Sequence, residues 1–180
     1  MVVPIVVRQS GSMDMGSKAR DIFIVGLRDA HAMETQAQEL MERQSARLTD
    51  YPEVRARVQA HLRETEGQLN RIEQCLSSFG ESPSTIKDTT QSLMGTLMAV
   101  GHSMAGDEIL KDTFANDAFE HYEIAAYKSL LTLCGPAGAD NARGLLEQSL
   151  KEEEAMAAWV DENVGKVTLE YLSKEERAAA

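Results

Sequence analysis

The sequence predicts an all-α fold, a bundle of four long helices, and three observations predict it. Aromatic residues make up only 5% of the chain although 43% is hydrophobic. Ala, Leu, Met, Glu and Gln supply the difference, and that mix favours helix over sheet. Apolar residues recur in steps of three and four over long stretches, the signature of a helix with one buried face. The prolines are Pro4, Pro52, Pro83 and Pro136, and three of them fall where helices would have to end. A chain of 180 residues is long enough for one domain with its own core.

Residues 1–17 mix a short apolar run with Gly and Ser and read as a loose extension outside the bundle, which is expected over 18–172. That run lacks the charged flank and long apolar centre of a signal peptide. The first helix is expected from about Ser17 to Leu48, with Phe23, Leu27, Ala30, Ala37 and Met41 on its buried face. The run Thr49-Asp50-Tyr51-Pro52 ends it, and Asp50 with Glu53 could form a capping box for the next helix. That second helix should span about Pro52 to Ser77, buried along Val54, Val58, Thr65, Leu69, Ile72 and Leu76. So short a link makes the two helices antiparallel neighbours.

About 35 residues then separate the second helix from the next strong one, with an extra helix expected over 84–102. A connection of that length can carry the chain from one end of a bundle to the other. The third helix is expected from about Asp112 to Cys134, ended by Gly135-Pro136-Ala137-Gly138. The fourth should run from about Asp140, a plausible cap, to Val167, and residues 173–180 should fray. Two short-looped hairpins joined by one long crossover is the ferritin-like connectivity, distinct from a plain up-and-down bundle.

The formal net charge of −11 argues against nucleic acid and against anionic membrane surfaces, both of which require clustered Lys and Arg. No apolar run approaches the ~20 residues of a membrane span, so a cytoplasmic location is expected. Cys75 and Cys134 form no Cys-x-x-Cys pair and read as buried free thiols.

Most of the acid is accounted for by a solvated surface, but some of it interrupts the buried stripes. In the first helix the steps 4, 3, 4, 3, 4 from Phe23 to Met41 place Glu34 where a core residue belongs. In the fourth, Leu146, Leu150, Ala157, Val160, Val164 and Val167 share their stripe with Glu153. In the third, Glu120 and Glu123 lead into Tyr127, Leu130 and Cys134 at steps of three and four. The second offers Glu64 at the edge of its stripe, three residues after His61 and four before Gln68. A buried ionised carboxylate costs several kcal/mol without a partner. Five together are untenable as bare anions, and two divalent cations nearly balance them. Hard or borderline ions such as Fe or Mn take oxygen ligands in this way.

The ferritin-like plan places Glu-x-x-His on two helices. Here Glu64 is followed three later by Gly67 and Glu153 by Met156, so neither His is present. His61 could reach the site in reverse order, and Gln68 could ligate through its carbonyl oxygen or orient a ligand. His121 is rotated ~100° from Glu120 around the helix; His31 and His102 suit surface or packing roles better.

The segments His61-Leu62-Arg63-Glu64-Thr65-Glu66-Gly67-Gln68, Glu120-His121-Tyr122-Glu123-Ile124-Ala125-Ala126-Tyr127 and Leu145-Leu146-Glu147-Gln148-Ser149-Leu150-Lys151-Glu152-Glu153-Glu154 resemble the bacterial YciE/YciF family. Asp29 followed by Glu34 is similar to its first-helix pattern, and Arg63 departs from it where the family often has a second Glu. The resemblance spans roughly residues 19–165 and is most specific in the third helix. It implies a rubrerythrin-like, dimeric bundle associated with stress responses, with Glu34, Glu64, Glu120, Glu123 and Glu153 as metal ligands. It defines no reaction.

Three functions compete on this reading. A di-iron protein could react with oxygen or peroxide, with Tyr122 or Tyr127 as possible electron carriers and an external protein as electron donor. A stress protein could instead keep a vestigial or purely structural metal, which the absent Glu-x-x-His residues favour. A metal-free partner-binding module would pair its inward Glu residues with Arg. A storage cage is not expected, since nothing in the sequence indicates a large assembly.

Overall fold

The computed structural model describes residues 11–83 and 108–180, with side chains from residue 16. The extra helix expected over 84–102, and His102 with it, lies outside the described residues. Among the described residues the fold consists of four long helices: α1 (Gly11–Arg47), α2 (Pro52–Ser78), α3 (Glu108–Leu133) and α4 (Arg143–Ala178). Short 3-10 turns at Leu48–Asp50 and Asp140–Ala142 precede α2 and α4.

Helix α1 begins upstream of the expected start at Ser17, and α4 continues through the stretch expected to fray. The Lys-, Glu- and Ala-rich end of α4 is made of good helix formers, and neither segment carries a proline to stop it. The expected caps do not form. Tyr51 takes the position before α2 and Ala142 that before α4, neither with a side-chain cap bond. Asp50 and Asp140 are instead taken into the 3-10 turns, one residue or more too early to reach the free N–H groups. The C-terminal ends behave as the glycines require. Gly80 (φ 73°) and Gly138 (φ 67°) are left-handed, and the next N–H groups bond back to Leu76 and Cys134 (3.1 and 2.7 Å).

Side-chain pairs between helices fix the topology. Glu34 meets Tyr127 and Gln44 meets Asn116, so α1 and α3 run antiparallel. Gln68 meets Glu153 while Arg71 meets Ser149, so α2 and α4 run antiparallel as well. Both hairpins are antiparallel by their short connections. Helix α2 therefore runs parallel to α3, and α3 starts at the end of the bundle opposite to where α2 stops. Helix α2 is ~40 Å long at 1.5 Å per residue, so the end of α2 and the start of α3 lie at opposite ends of the bundle. This is the long crossover of the ferritin-like connectivity.

The buried stripe of α1 is the expected one, joined by Ile24, Met33 and Gln44. In α2 the inward place expected of Leu69 goes to Gln68, because the stripe runs 61, 65, 68, 72 in steps of four, three and four. In α4, Ser149 and Met156 turn inward while Leu150 and Val164 are half-buried. At the end where α2 and α3 stop, Phe23, Leu27, Leu76, Leu130 and Leu146 form a closed apolar layer with the free thiols of Cys75 and Cys134. Gly26 allows α1 to come close to α3 there: a Cβ at that position would sit 2.9 Å from Leu130 Cδ2. Among the described residues no helix is long and apolar enough to cross a membrane.

Candidate metal centre

Midway along the bundle the apolar layers give way to acids. Helix α1 contributes Glu34, α2 His61, α3 Glu120 and Glu123, and α4 Glu153. Their exposures are 0, 1, 4, 1 and 0%. Each occupies a position that the three-and-four spacing turns inward, so the fold cannot expose them without unwinding a helix. His61, Glu120, Glu123 and Glu153 each offer one ligand atom, and these atoms lie within 4.8 Å of one another.

His61 organises the group. Its Nδ1 lies 2.8 Å from Glu64 Oε2. Its Nε2 lies 3.2 Å from Glu120 Oε2 and 3.3 Å from Glu153 Oε2. One ring N–H cannot point at both, and each of those carboxylate oxygens lacks an aligned hydrogen-bond donor. Burial disfavours the imidazolium, but contacts with Glu120, Glu153 and Glu64 outweigh it and push the ring's pKa to about 12. Without a metal, His61 is thus the internal counter-cation of the acidic layer.

The carboxylates show the opposite strain. Burial, opposed by His61, raises Glu120 to about 8. Burial and then the neighbouring acids raise Glu34 and Glu123 well above the ordinary carboxylate range. Tyr127 donates a 2.6 Å hydrogen bond to Glu34 Oε1, and Gln68 donates to Glu153 Oε1. Among the described residues, oxygens remain without a hydrogen-bond partner on Glu34 (Oε2), Glu120 (Oε2), Glu123 (Oε1) and Glu153 (Oε2). Buried acceptors are rarely left unpaired. Those of Glu120, Glu123 and Glu153 belong to carboxylates that converge with His61 in a donor set suited to Fe, Mn or Zn. The residues present therefore fit a metal.

Glu64 is placed differently from the other expected acids. It is half-buried, with a side-chain exposure of 33%, and lies behind His61. There it accepts from His61 and, at 3.1 Å, from Arg57. The His61 hydrogen bond, assisted by Arg57, lowers its pKa. A carboxylate on one ring nitrogen fixes which nitrogen faces the site, the familiar carboxylate–histidine–metal arrangement. With Glu64 outside the cluster, four buried carboxylates face the centre, and two divalent ions would match their charge. Gln68 points its amide nitrogen at Glu152 (3.2 Å) and Glu153, which leaves Oε1 unpaired. His31 bonds to Glu73, and His121 is exposed beside Asp117; neither reaches the centre. The spacing argument overlooked the Gln44–Asn116 pair (3.0 Å) and the buried Ser149. Both lie on the inward stripes, where their polar character was the available signal.

Comparison with known proteins follows the same lines. The family described as a domain of unknown function, DUF892, matches residues 18–173. Protein YciF of Escherichia coli K12 is 33% identical over 146 residues, covering 75% of this chain and 83% of that protein. The crystal structure of the E. coli stress protein YciF superposes with a TM-score of 0.71 at 30% identity, covering 83% of this chain and 96% of that one. A protein from Xanthomonas campestris pv. campestris gives a TM-score of 0.75 at 30% identity, covering 88% and 99%. The bacterioferritin of Desulfovibrio desulfuricans, solved with its diiron site in different catalytic states, shares the fold at 21% identity, with a TM-score of 0.69 over 88% and 89% of the two chains. This chain belongs to the DUF892 family, with YciF among its relatives, and has the ferritin-like fold.

Proposed function

We propose that this protein binds two metal ions, iron in preference to manganese, in its buried acidic layer, and that it reacts with oxygen or peroxide under stress. The observation that carries the reading is the convergence of His61 with the carboxylates of Glu120, Glu123 and Glu153, each of which has an oxygen without a hydrogen-bond partner among the described residues. His61, Glu120, Glu123 and Glu153 would hold the ions, with Glu34 closing the site from α1. Two such ions, when bound, supply Lewis acidity and paired one-electron chemistry toward oxygen species. Glu64 orients His61, Tyr127 holds one oxygen of Glu34, and the surrounding apolar layers keep bulk water out. The E. coli relative is a stress protein and the bacterioferritin has a diiron site; both agree with this reading. A cytoplasmic homodimer served by an external electron donor belongs to the same proposal, and light scattering tests the dimer. The functional test is anaerobic loading with Fe(II) followed by exposure to oxygen and to peroxide. Two Fe(II) per chain oxidised within seconds would support it. Bound iron that stays reduced would leave a purely structural metal. That second reading is favoured by the single imidazole of the site, since the plan's two Glu-x-x-His pairs would have supplied two.

A further inference from the structure

Two of the site's carboxylates, Glu34 on α1 and Glu153 on α4, are held by side chains that lead back to one place. Arg71, on α2, is the point of convergence. Its Nε donates to Ser149 Oγ at 3.0 Å. The Ser149 hydroxyl donates to the Leu145 carbonyl at 3.4 Å and lies beside the Tyr127 phenol, which donates to Glu34. On its other side, Arg71 Nη2 pairs with Glu152 Oε2. Glu152 accepts from Gln68 Nε2 at 3.2 Å, and the same Gln68 nitrogen donates to Glu153 Oε1. Gln148 takes the second oxygen of Glu152 at 3.1 Å.

The chemistry of these groups makes the arrangement directional. Arg and the amide nitrogen can only donate, and a carboxylate can only accept. With Glu152 and Glu153 both acting as acceptors, the Gln68 amide can face only one way. The guanidinium offers a rigid fork, so its two edges serve Ser149 and Glu152 at a fixed angle. Gly67 leaves room for that fork: a Cβ there would lie 3.2 Å from Arg71 Nη1. Arg71 itself is buried (9% exposed).

We infer that Arg71 is a positioning residue for the metal centre, setting Glu34 through Ser149 and Tyr127 and setting Glu153 through Glu152 and Gln68. This rests on the metal reading. It explains how the site can keep two carboxylates from opposite helices in register without a second histidine.

Co(II) is the probe, since its visible spectrum reports ligand geometry as well as binding. In Arg71→Leu, Co(II) affinity should fall about 10- to 100-fold, the usual effect of losing a partner behind the ligands, and the ligand-field bands should shift. Ser149→Ala and Gln68→Leu should each give part of that change, and neither should add to it in the Arg71→Leu background. Arg71→Lys can still pair with Glu152 but loses the donor to Ser149, so it should resemble Ser149→Ala. Circular dichroism confirms folding of each variant. Wild-type affinity and an unshifted spectrum in Arg71→Leu would overturn the inference, as would additive effects in the double variants. Should the wild type take up no Co(II), the metal reading fails separately. Crystal structures of the metal-free wild type and Arg71→Leu then decide: Tyr127–Glu34 and Gln68–Glu153 bonds lost in the variant support the inference, and both bonds intact overturn it.

Discussion

The end of the bundle around Leu27, Leu76, Leu130 and Leu146 and the layer around His61 are built from the same stripes of the same four helices. At the end, every inward position is apolar or a free thiol, and packing alone satisfies it. One or two turns away, the same stripes carry Glu34, Glu120, Glu123 and Glu153, with oxygens that no hydrogen bond among the described residues satisfies. The comparison separates two uses of a buried position. The apolar layer stabilises the fold, whereas the acidic layer costs stability until something else binds there.

The largest expected effect that could break this contrast is in the apolar layer. Leu146→Ala should cost about 2–5 kcal/mol in denaturant unfolding, yet leave metal stoichiometry unchanged. A loss of metal in that variant would mean that the two layers are not independent.

Next comes Glu123→Gln, which removes a buried charge with little change of shape. It should abolish metal binding, and it should raise the stability of the metal-free protein by about 1 kcal/mol or more. Retained metal would remove Glu123 from the site; a less stable metal-free variant would mean that its carboxylate is already well paired.

The dependence on pH sharpens the same point. A group whose pKa is raised on folding contributes stability below its unfolded value and loses it as pH rises through the folded value. Glu120, raised from 4.5 to about 8, therefore destabilises the metal-free protein progressively between those pH values. Glu34 and Glu123 act in the same direction. His61, raised from 6.5 to about 12, also loses its contribution as pH climbs above 6.5. Glu64, with its lowered pKa, acts oppositely, losing its contribution only as pH falls below 4.5. The denaturation midpoint of the metal-free protein should thus be higher at pH 5.5 than at pH 8. Bound metal should reverse that order, because ligands must be deprotonated to bind. A midpoint of the metal-free protein that rises with pH would contradict these assignments.

Tyr127→Phe removes the donor to Glu34 Oε1 and should cost about 1 kcal/mol in denaturant unfolding, the net worth of one hydrogen bond; an unchanged midpoint would mean that this bond does not hold Glu34.

Much of this contrast was legible in the sequence, because a Glu among apolar residues at steps of three and four is visible without coordinates. Glu34, Glu120, Glu123 and Glu153 are placed by that argument alone. Helix α2 was harder to read. Its stripe could be drawn through Leu69 or through Gln68, and only packing against α4 chose Gln68, which brought His61 inward and left Glu64 behind it. The caps failed for a similar reason: Asp50 and Asp140 are good capping residues one and two residues too early, and the 3-10 turns that displace them leave no mark in composition. The network through Arg71 depends on contacts between helices, which periodicity within one helix cannot reveal.

The central claim is tested most directly by metal analysis of protein purified without a His tag and loaded anaerobically with Fe(II). The account predicts about two iron or manganese ions per chain, lost in Glu123→Gln. No bound metal in the loaded wild-type protein would contradict it and leave the acidic layer as a charged core held together by His61.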